Sequence, residues 1–136
     1  MSARTAFSSV QEYLAALAPE QSRILKRVLA VVRKSVPRST PVISYGIPAF
    51  RQDRVFIYCA AFKRHIGIYP PVRGDARLHA ALKPYANAKG NLSLPFAEPM
   101  PLSLIARVAK ALARQSAQPK AFRPKRKGRK SGADAA

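Results

Sequence analysis

The chain has 136 residues, of which 48% are hydrophobic, and it carries 25 Lys and Arg against six Asp and Glu. This length supports one folded domain with a single core. No apolar stretch approaches the length of about 18 residues that a membrane helix needs, and no charged-then-apolar leader opens the sequence, so we predict a cytoplasmic protein. The single cysteine, Cys59, lies in an apolar stretch, and we predict a small buried hydrophobe rather than a reactive thiol.

The positive charge is divided between the body of the chain and its C-terminus. Residues 1–114 carry 18 basic and five acidic groups, a net charge of +13. We predict that they form the folded domain and that residues 115–136, which are rich in cations, Pro and Gly, form a disordered basic tail. Such a charge favours polyanions, either nucleic acid or an anionic metabolite. The cations of this tail are Lys120, Arg123, Lys125, Arg126, Lys127, Arg129 and Lys130.

Two helices are predicted near the N-terminus. Ser9 and Glu12 form a capping-box pattern for a short helix, and Pro19 suits the first turn of a longer one. The longer helix has an apolar face opposite a cationic stripe, which is either an ordinary solvated face or a surface that docks a polyanion. The stripe consists of Arg23, Lys26, Arg27, Arg33 and Lys34.

The segment from Ile43 to Phe50 predicts the entry to a sheet. Gly46 permits a positive φ and Pro48 cannot donate to a strand ladder, so we expect a corner at which the chain bends while it stays extended. A long strand follows at 55–62, and the Lys63–Arg64 pair reverses the chain into a second strand at 66–69.

An even hairpin loop at Lys63–Arg64 places residue 62 opposite residue 65 and so fixes which side chains share a face. The expected core face carries Ile57, Cys59, Ala61, Ile66 and Ile68. The other face carries Phe56, Tyr58, Phe62, His65 and Tyr69 around the small residues Ala60 and Gly67. Aromatic side chains that surround two small residues predict a shallow pocket, although aromatic residues on a sheet also serve as packing.

The remaining elements are a short helix near 75–83, a strand at 92–94 and a last helix with Arg107, Lys110 and Arg114 on its outer side. The Lys89-Gly90-Asn91 step is either a simple turn or one that offers amide groups and a cation to an anion. Helices, then strands, then a helix predict an α+β fold: a two-layer α-β-α domain with a mainly antiparallel sheet and helices packed on one face.

Four blocks in order resemble the YdhG-like family, a small bacterial domain of mostly unknown function. They are 10–14 (Val-Gln-Glu-Tyr-Leu), 43–50 (Ile-Ser-Tyr-Gly-Ile-Pro-Ala-Phe), 66–70 (Ile-Gly-Ile-Tyr-Pro) and 89–95 (Lys-Gly-Asn-Leu-Ser-Leu-Pro). The resemblance covers about residues 8–114. It implies a compact α-β-α domain, and one branch of the family is described as a frataxin-like iron chaperone.

The residues themselves do not point to iron or to catalysis. The acidic residues are scattered singly and His65 and His79 have no partner motif, so we predict neither a metal site nor a cofactor. There is no phosphate-binding loop, nucleophile elbow or HExxH motif, and we predict a protein that is not an enzyme.

Three functions therefore stand as hypotheses. The first is a binding module for a small anionic ligand or a partner segment, with Tyr45, Phe50, Tyr69 and Lys89 as the binding residues. The second is a nucleic-acid-associated protein that binds phosphates through the cationic stripe and the tail residues Lys125, Arg126 and Lys127, with Tyr58 and Phe62 stacking on bases. The third is iron handling, which rests on the resemblance alone.

Overall fold

The computed structural model describes residues 8–117. It contains four α-helices, a 3-10 turn and five strands. The helices are α1 (Val10–Ala15), α2 (Pro19–Ser35), α3 (Ala76–Leu82) and α4 (Leu102–Ala117), and the 3-10 turn is Lys83–Tyr85. The strands are β1 (Thr40–Ser44), β2 (Ile47–Arg51), β3 (Val55–Ala61), β4 (His65–Tyr69) and β5 (Leu92–Pro95). Within these residues no helix is both long and apolar enough to cross a membrane.

The strands form one antiparallel meander in which every strand pairs with its neighbour in the chain, in the order β1-β2-β3-β4-β5. The helices form one connected layer, since α1 packs on α2, α2 on α4 and α3 on α4. The predicted α+β fold is confirmed.

The core lies between the helix layer and one face of the sheet. The β3–β4 register pairs Cys59 with Ile68 and Ala61 with Ile66, as the even loop predicts. Ile57, Cys59, Ile66 and Ile68 have no exposed surface. Across from them, α2 buries Leu25, Val28 and Val32, and α4 buries Ile105, Val108 and Leu112. The predicted core face is therefore confirmed.

The predicted sheet corner is wrong: the chain reverses there. Tyr45 and Gly46 both have positive φ, +53° and +78°, and form a two-residue turn between β1 and β2. This is the backbone of the tight hairpin turns whose twist matches that of the flanking strands. Ser44 consequently pairs with Ile47, and Pro48 lies within β2 opposite Ile43.

Helix α4 runs past residue 114, where we predict the end of the folded domain. Helix α4 continues to Ala117, and Gln115 joins it to the loop after β4. The Gln115 Nε2 donates to the Pro71 carbonyl at 3.2 Å, and its Oε1 accepts from the Arg73 amide at 2.8 Å. Ala and Gln are good helix formers, so nothing in the sequence stops the helix at 114. The rest of the predicted tail lies outside the described residues.

Candidate functional site

Aromatic side chains gather on the sheet face opposite the helix layer. We call this set the ring platform: Tyr45, Tyr58, Phe62, His65 and Tyr69. Tyr58 and Tyr69 are direct cross-strand partners on β3 and β4. Phe62 and His65 flank the β3–β4 turn, where the Phe62 amide donates to the His65 carbonyl at 2.8 Å. Short loops thus bring these rings to one face from three separate segments.

The rings contact one another in two groups. The centroids of Tyr45 and Tyr58 lie 5.9 Å apart with the ring planes tilted by 45°. The rings of Phe62 and His65 stack with centroids 4.9 Å apart and planes within 25°. The Ser44 hydroxyl lies 3.5 Å from the Tyr58 hydroxyl. Offset and tilted contacts of this kind hold rings in place, because they align the positive edge of one ring with the negative face of another.

The predicted shallow pocket over Ala60 and Gly67 is filled by rings of the platform itself. A Cβ placed on Gly67 would lie 2.7 Å from the Tyr69 Oη and 2.9 Å from the Phe62 Cε2, so both side chains fold over the glycine. Ala60 is also buried, at 2% exposure. The small residues therefore accommodate the rings from below, and the outer surface is a platform rather than a cavity.

Tyr45 is the most unusual member of the platform. Its side chain is 91% exposed, although it is a large aromatic group. Its φ of +53° lies in the left-handed region, which costs a non-glycine residue about 1–2 kcal/mol. A strained backbone that presents a ring to solvent is a feature that neither packing nor turn propensity requires, and strain of this kind is common at functional sites.

The charge around the platform is positive. No strand of the sheet contains an Asp or Glu. The exposed Lys63 and Arg64 form the turn beside Phe62 and His65. The described part of the chain holds 17 Lys and Arg against five Asp and Glu. An anion that reaches the platform therefore meets attractive charge and no carboxylate on the strands below it.

The four residues predicted to bind a ligand do not form one group. Phe50 is a correction: it is 2% exposed and belongs to the core, because the register places it opposite Ile57 on the helix-facing side. Tyr69 lies half-buried on the platform and Tyr45 lies at its rim. Lys89 is exposed, but no hydrogen bond within residues 8–117 joins its side chain to Tyr45 or Tyr69.

The turn at Lys89 does not offer its amides to an anion. The Asn87 Oδ1 accepts from the amides of Lys89 at 2.9 Å and Asn91 at 3.2 Å. The Asn87 carbonyl accepts from the Gly90 amide at 2.9 Å. The side chain and carbonyl of Asn87 thus occupy the position that an anion would take, and the simple-turn interpretation is the one that the geometry fits.

The cationic stripe of α2 lies where the periodicity places it, with all five side chains exposed. Arg23 donates to both carboxylate oxygens of Glu20 at 2.6 Å. This is the only ion pair between described residues, so the other four cations have no carboxylate partner there. Lys125, Arg126 and Lys127 lie outside the described residues.

The described residues contain no group of three or more His, Cys, Asp and Glu placed to hold a metal ion. Cys59 lies in the core with no exposed surface, and burial raises the pKa of its thiol to about 12. A thiol in this state is neutral at physiological pH and unreactive.

Sequence reasoning placed Phe62, His65 and Tyr69 together on one face, in the predicted pocket, but did not include Tyr45 with them. The sequence feature that identified this face was the two-residue loop between β3 and β4, because it fixes the register of the two strands. The position of Tyr45 beside Tyr58 depends on the turn at Tyr45–Gly46, which the sequence did not reveal.

The architecture defines the class: a two-layer α+β domain with a five-stranded meander under one layer of helices. This fold is similar to that of a protein of the DUF1801 family, YdhG from Bacillus subtilis. The crystal structure of that protein aligns with a TM-score of 0.70 and 19% sequence identity, over 84% of this chain and 92% of that one. At this identity the likeness shows a shared fold, which is the fold implied by the YdhG-like resemblance. No protein-family model matches the chain, and no curated protein matches it in sequence.

Proposed function

We propose that this protein is a non-enzymatic cytoplasmic domain that binds single-stranded nucleic acid on the ring platform. The observation that carries the proposal is a group of neighbouring rings, with Tyr45 and Phe62 exposed and the others half-buried, on the sheet face opposite the helix layer of a strongly basic domain. The bases would stack on the rings, and the phosphates would contact cations at the platform's rim. The proposed site combines residues from two of the hypotheses above: Tyr58 and Phe62, predicted to stack on bases, and Tyr45 and Tyr69, predicted to bind a ligand.

The shape of the platform favours an extended ligand over a small one. A compact anionic metabolite is usually held in a concave pocket that removes most of its surface from water. Here Phe62 and Tyr69 fill the concavity over Gly67. An array of several neighbouring rings suits a flexible strand, because each base presents a flat π-face whatever its identity.

The electrostatics favour a phosphate backbone over an apolar peptide. Lys63 and Arg64 are exposed at the turn that carries Phe62 and His65. Cations beside stacking rings are the combination found in surfaces that bind single strands without sequence preference. A partner segment of protein would need acidic residues to complement the same rim.

The cationic stripe of α2 supports a second mode of nucleic-acid binding, which stays a prediction. Four of its cations have no carboxylate partner among the described residues. This surface carries no exposed aromatic ring, so it would hold phosphates without stacking on bases. Iron handling also stays a prediction, on the resemblance alone.

The first test exchanges Tyr45 for Asn and, in a matched variant, for Phe. Asn tolerates the left-handed conformation and forms the favoured Asn-Gly hairpin turn, so Tyr45→Asn removes the ring without straining the backbone. We expect it to weaken binding of a fluorescent oligothymidine about tenfold, since stacking is worth about 1–3 kcal/mol per base. Tyr45→Phe keeps the ring, and its affinity should stay within about twofold of the original.

Thermal unfolding separates a loss of binding from a loss of fold. Tyr45→Asn should unfold at the original temperature or above it, because the turn is relieved of strain. The proposal fails if oligothymidine does not bind at low salt, or if both variants bind as tightly as the unmodified protein.

A further inference from the structure

A second basic surface lies at the opposite end of the sheet from the Tyr45 and Lys63 turns. It consists of three adjoining grooves between α4, the loop after α2, the loop after β4 and the segment that includes α3. We call its charged residues the cationic track: Arg38, Lys110, Arg114, Arg73 and Lys83.

The grooves share residues and therefore form a continuous surface. The first has a volume of about 360 Å³ and is lined by Arg38, Lys110 and Arg114. Arg114 also lines the second, again of about 360 Å³, together with Arg73. Arg73 in turn lines the third, of about 740 Å³, with His79 and Lys83. Each groove thus contains at least two cations.

The fold places these cations along one surface. Gln115 binds the carbonyl of Pro71 and the amide of Arg73, which keeps the Arg73 loop against α4 beside Arg114. Like charges brought together in this way repel one another unless an anion lies between them. The arrangement is therefore more favourable with a bound anion than without one.

Carboxylates offset the charge of these cations only in part, since Asp75 is the one carboxylate among the groove residues. The first groove is lined by no Asp or Glu. Asp53 follows the groove residue Gln52 in the chain but forms no ion pair with a described residue. Asp75 lines the second and third grooves, and its Oδ1 accepts from the Leu78 amide at 3.0 Å as the N-cap of α3.

We propose that the cationic track binds a linear chain of phosphates, with successive phosphates in successive grooves. Cations outnumber carboxylates in each groove, and the path is longer than a single phosphate requires. The C-terminal residues 118–136 are not a fitting occupant, because they carry seven Lys and Arg and one Asp. No Phe, Tyr or Trp lines the three grooves, so the proposal does not depend on the stacking of bases and is independent of the ring platform.

Two probes carry the phosphate chemistry without bases: inorganic polyphosphate and an abasic oligodeoxynucleotide. Arg114→Gln removes the cation shared by two grooves. Arg107→Gln is the matched control, since it removes the same charge from the exposed side of the same helix, outside all three grooves. We expect Arg114→Gln to raise the Kd of a bound probe about tenfold and Arg107→Gln to raise it less than twofold. Lys110→Gln should behave like Arg114→Gln.

Binding of either probe, with this difference between the variants, supports the proposal, and the probe that binds identifies the source of the phosphates. Equal weakening by Arg107→Gln and Arg114→Gln would show that net charge alone acts and would overturn it. Failure of both probes to saturate the protein at low salt would overturn it as well. Neither probe carries a base that could stack on the ring platform, so this readout is distinct from the oligothymidine test of the proposed function.

Discussion

Cys59 lies at the centre of β3, and its environment gives the protein a pH dependence of stability. Burial raises the pKa of this thiol from the ordinary value of 9.0 to about 12. Between these values the unfolded chain releases the thiol proton and the folded chain keeps it. The unfolded state then binds fewer protons, so the free energy of unfolding falls as pH rises, by about 1.4 kcal/mol per pH unit above 9.

Exchange of Cys59 for Ala isolates this contribution. Near pH 7 the variant should be less stable by about 1–2 kcal/mol, because the smaller side chain leaves a gap in the core. The difference should shrink as pH rises above 9 and should reverse in sign by about pH 11, since only the original protein loses the thiol contribution, at about 1.4 kcal/mol per pH unit. Burial also raises the pKa of Tyr13, an effect that both proteins share, while the smaller contribution of the Cys59 charge to that rise is lost with the thiol. Urea unfolding at each pH measures the difference, and a constant gap between the two proteins would contradict the assignment.

At the scale of the strands, sequence reasoning succeeded where one loop fixed a register. The even Lys63–Arg64 loop sets the pairing of β3 with β4 and so identifies Ile57, Cys59 and Ile66 as core. Sequence reasoning failed at β1 and β2, because it did not identify the turn between them: Tyr45 has a positive φ there, which Tyr rarely adopts. Without that turn the β2 register is unknown, and Phe50 cannot be assigned to the core side.

The platform shows a second limit of sequence reasoning. A register states which side chains share a face but not how they are oriented there. The bare backbone of Gly67 leaves apolar surface exposed, and the rings of Phe62 and Tyr69 cover it. The rings of Phe62 and Tyr69 therefore occupy the predicted pocket, Phe56 is buried rather than at its edge, and Tyr45 packs beside Tyr58 instead.

The substitution Gly67→Ala on β4 tests directly whether the rings of Phe62 and Tyr69 lie over Gly67. The added methyl group would meet the far ends of two side chains, which can swing outward, so the backbone should keep its fold. We expect a stability loss of about 1–2 kcal/mol from the crowding. The signals of the Phe62 and Tyr69 rings in an NMR spectrum should shift, while those of the core methyl groups on Ile57 and Ile66 should not.

A double-mutant cycle with Phe62→Ala provides the control for Gly67→Ala. Residues in contact have coupled effects on stability, typically by about 0.5–3 kcal/mol. In the Phe62→Ala background one of the two obstructing rings is gone, so Gly67→Ala should destabilise the fold less than it does alone. Equal losses in both backgrounds would mean that Phe62 does not lie over Gly67.

For the molecule as a whole, unbalanced charge should limit stability at low ionic strength. The full chain has a formal net charge of +19, and one ion pair joins residues within the described part. A charge so far from zero destabilises the compact state by self-repulsion, and salt screens that repulsion with a Debye length of about 10 Å at 0.1 M. We therefore expect the Tm to rise by about 4–8 °C between roughly 20 and 300 mM NaCl, which corresponds to about 1 kcal/mol for a domain of this size.

The identity of the anion separates screening from binding. Screening depends on ionic strength alone, so sodium chloride and sodium acetate should raise the Tm equally. Phosphate chains that occupy the cationic track should act at far lower concentration, and Arg114→Gln should remove that additional rise while leaving the screening response in place. A Tm that stays constant or falls with added chloride would mean that the folded chain disperses its cations widely enough for repulsion to be negligible.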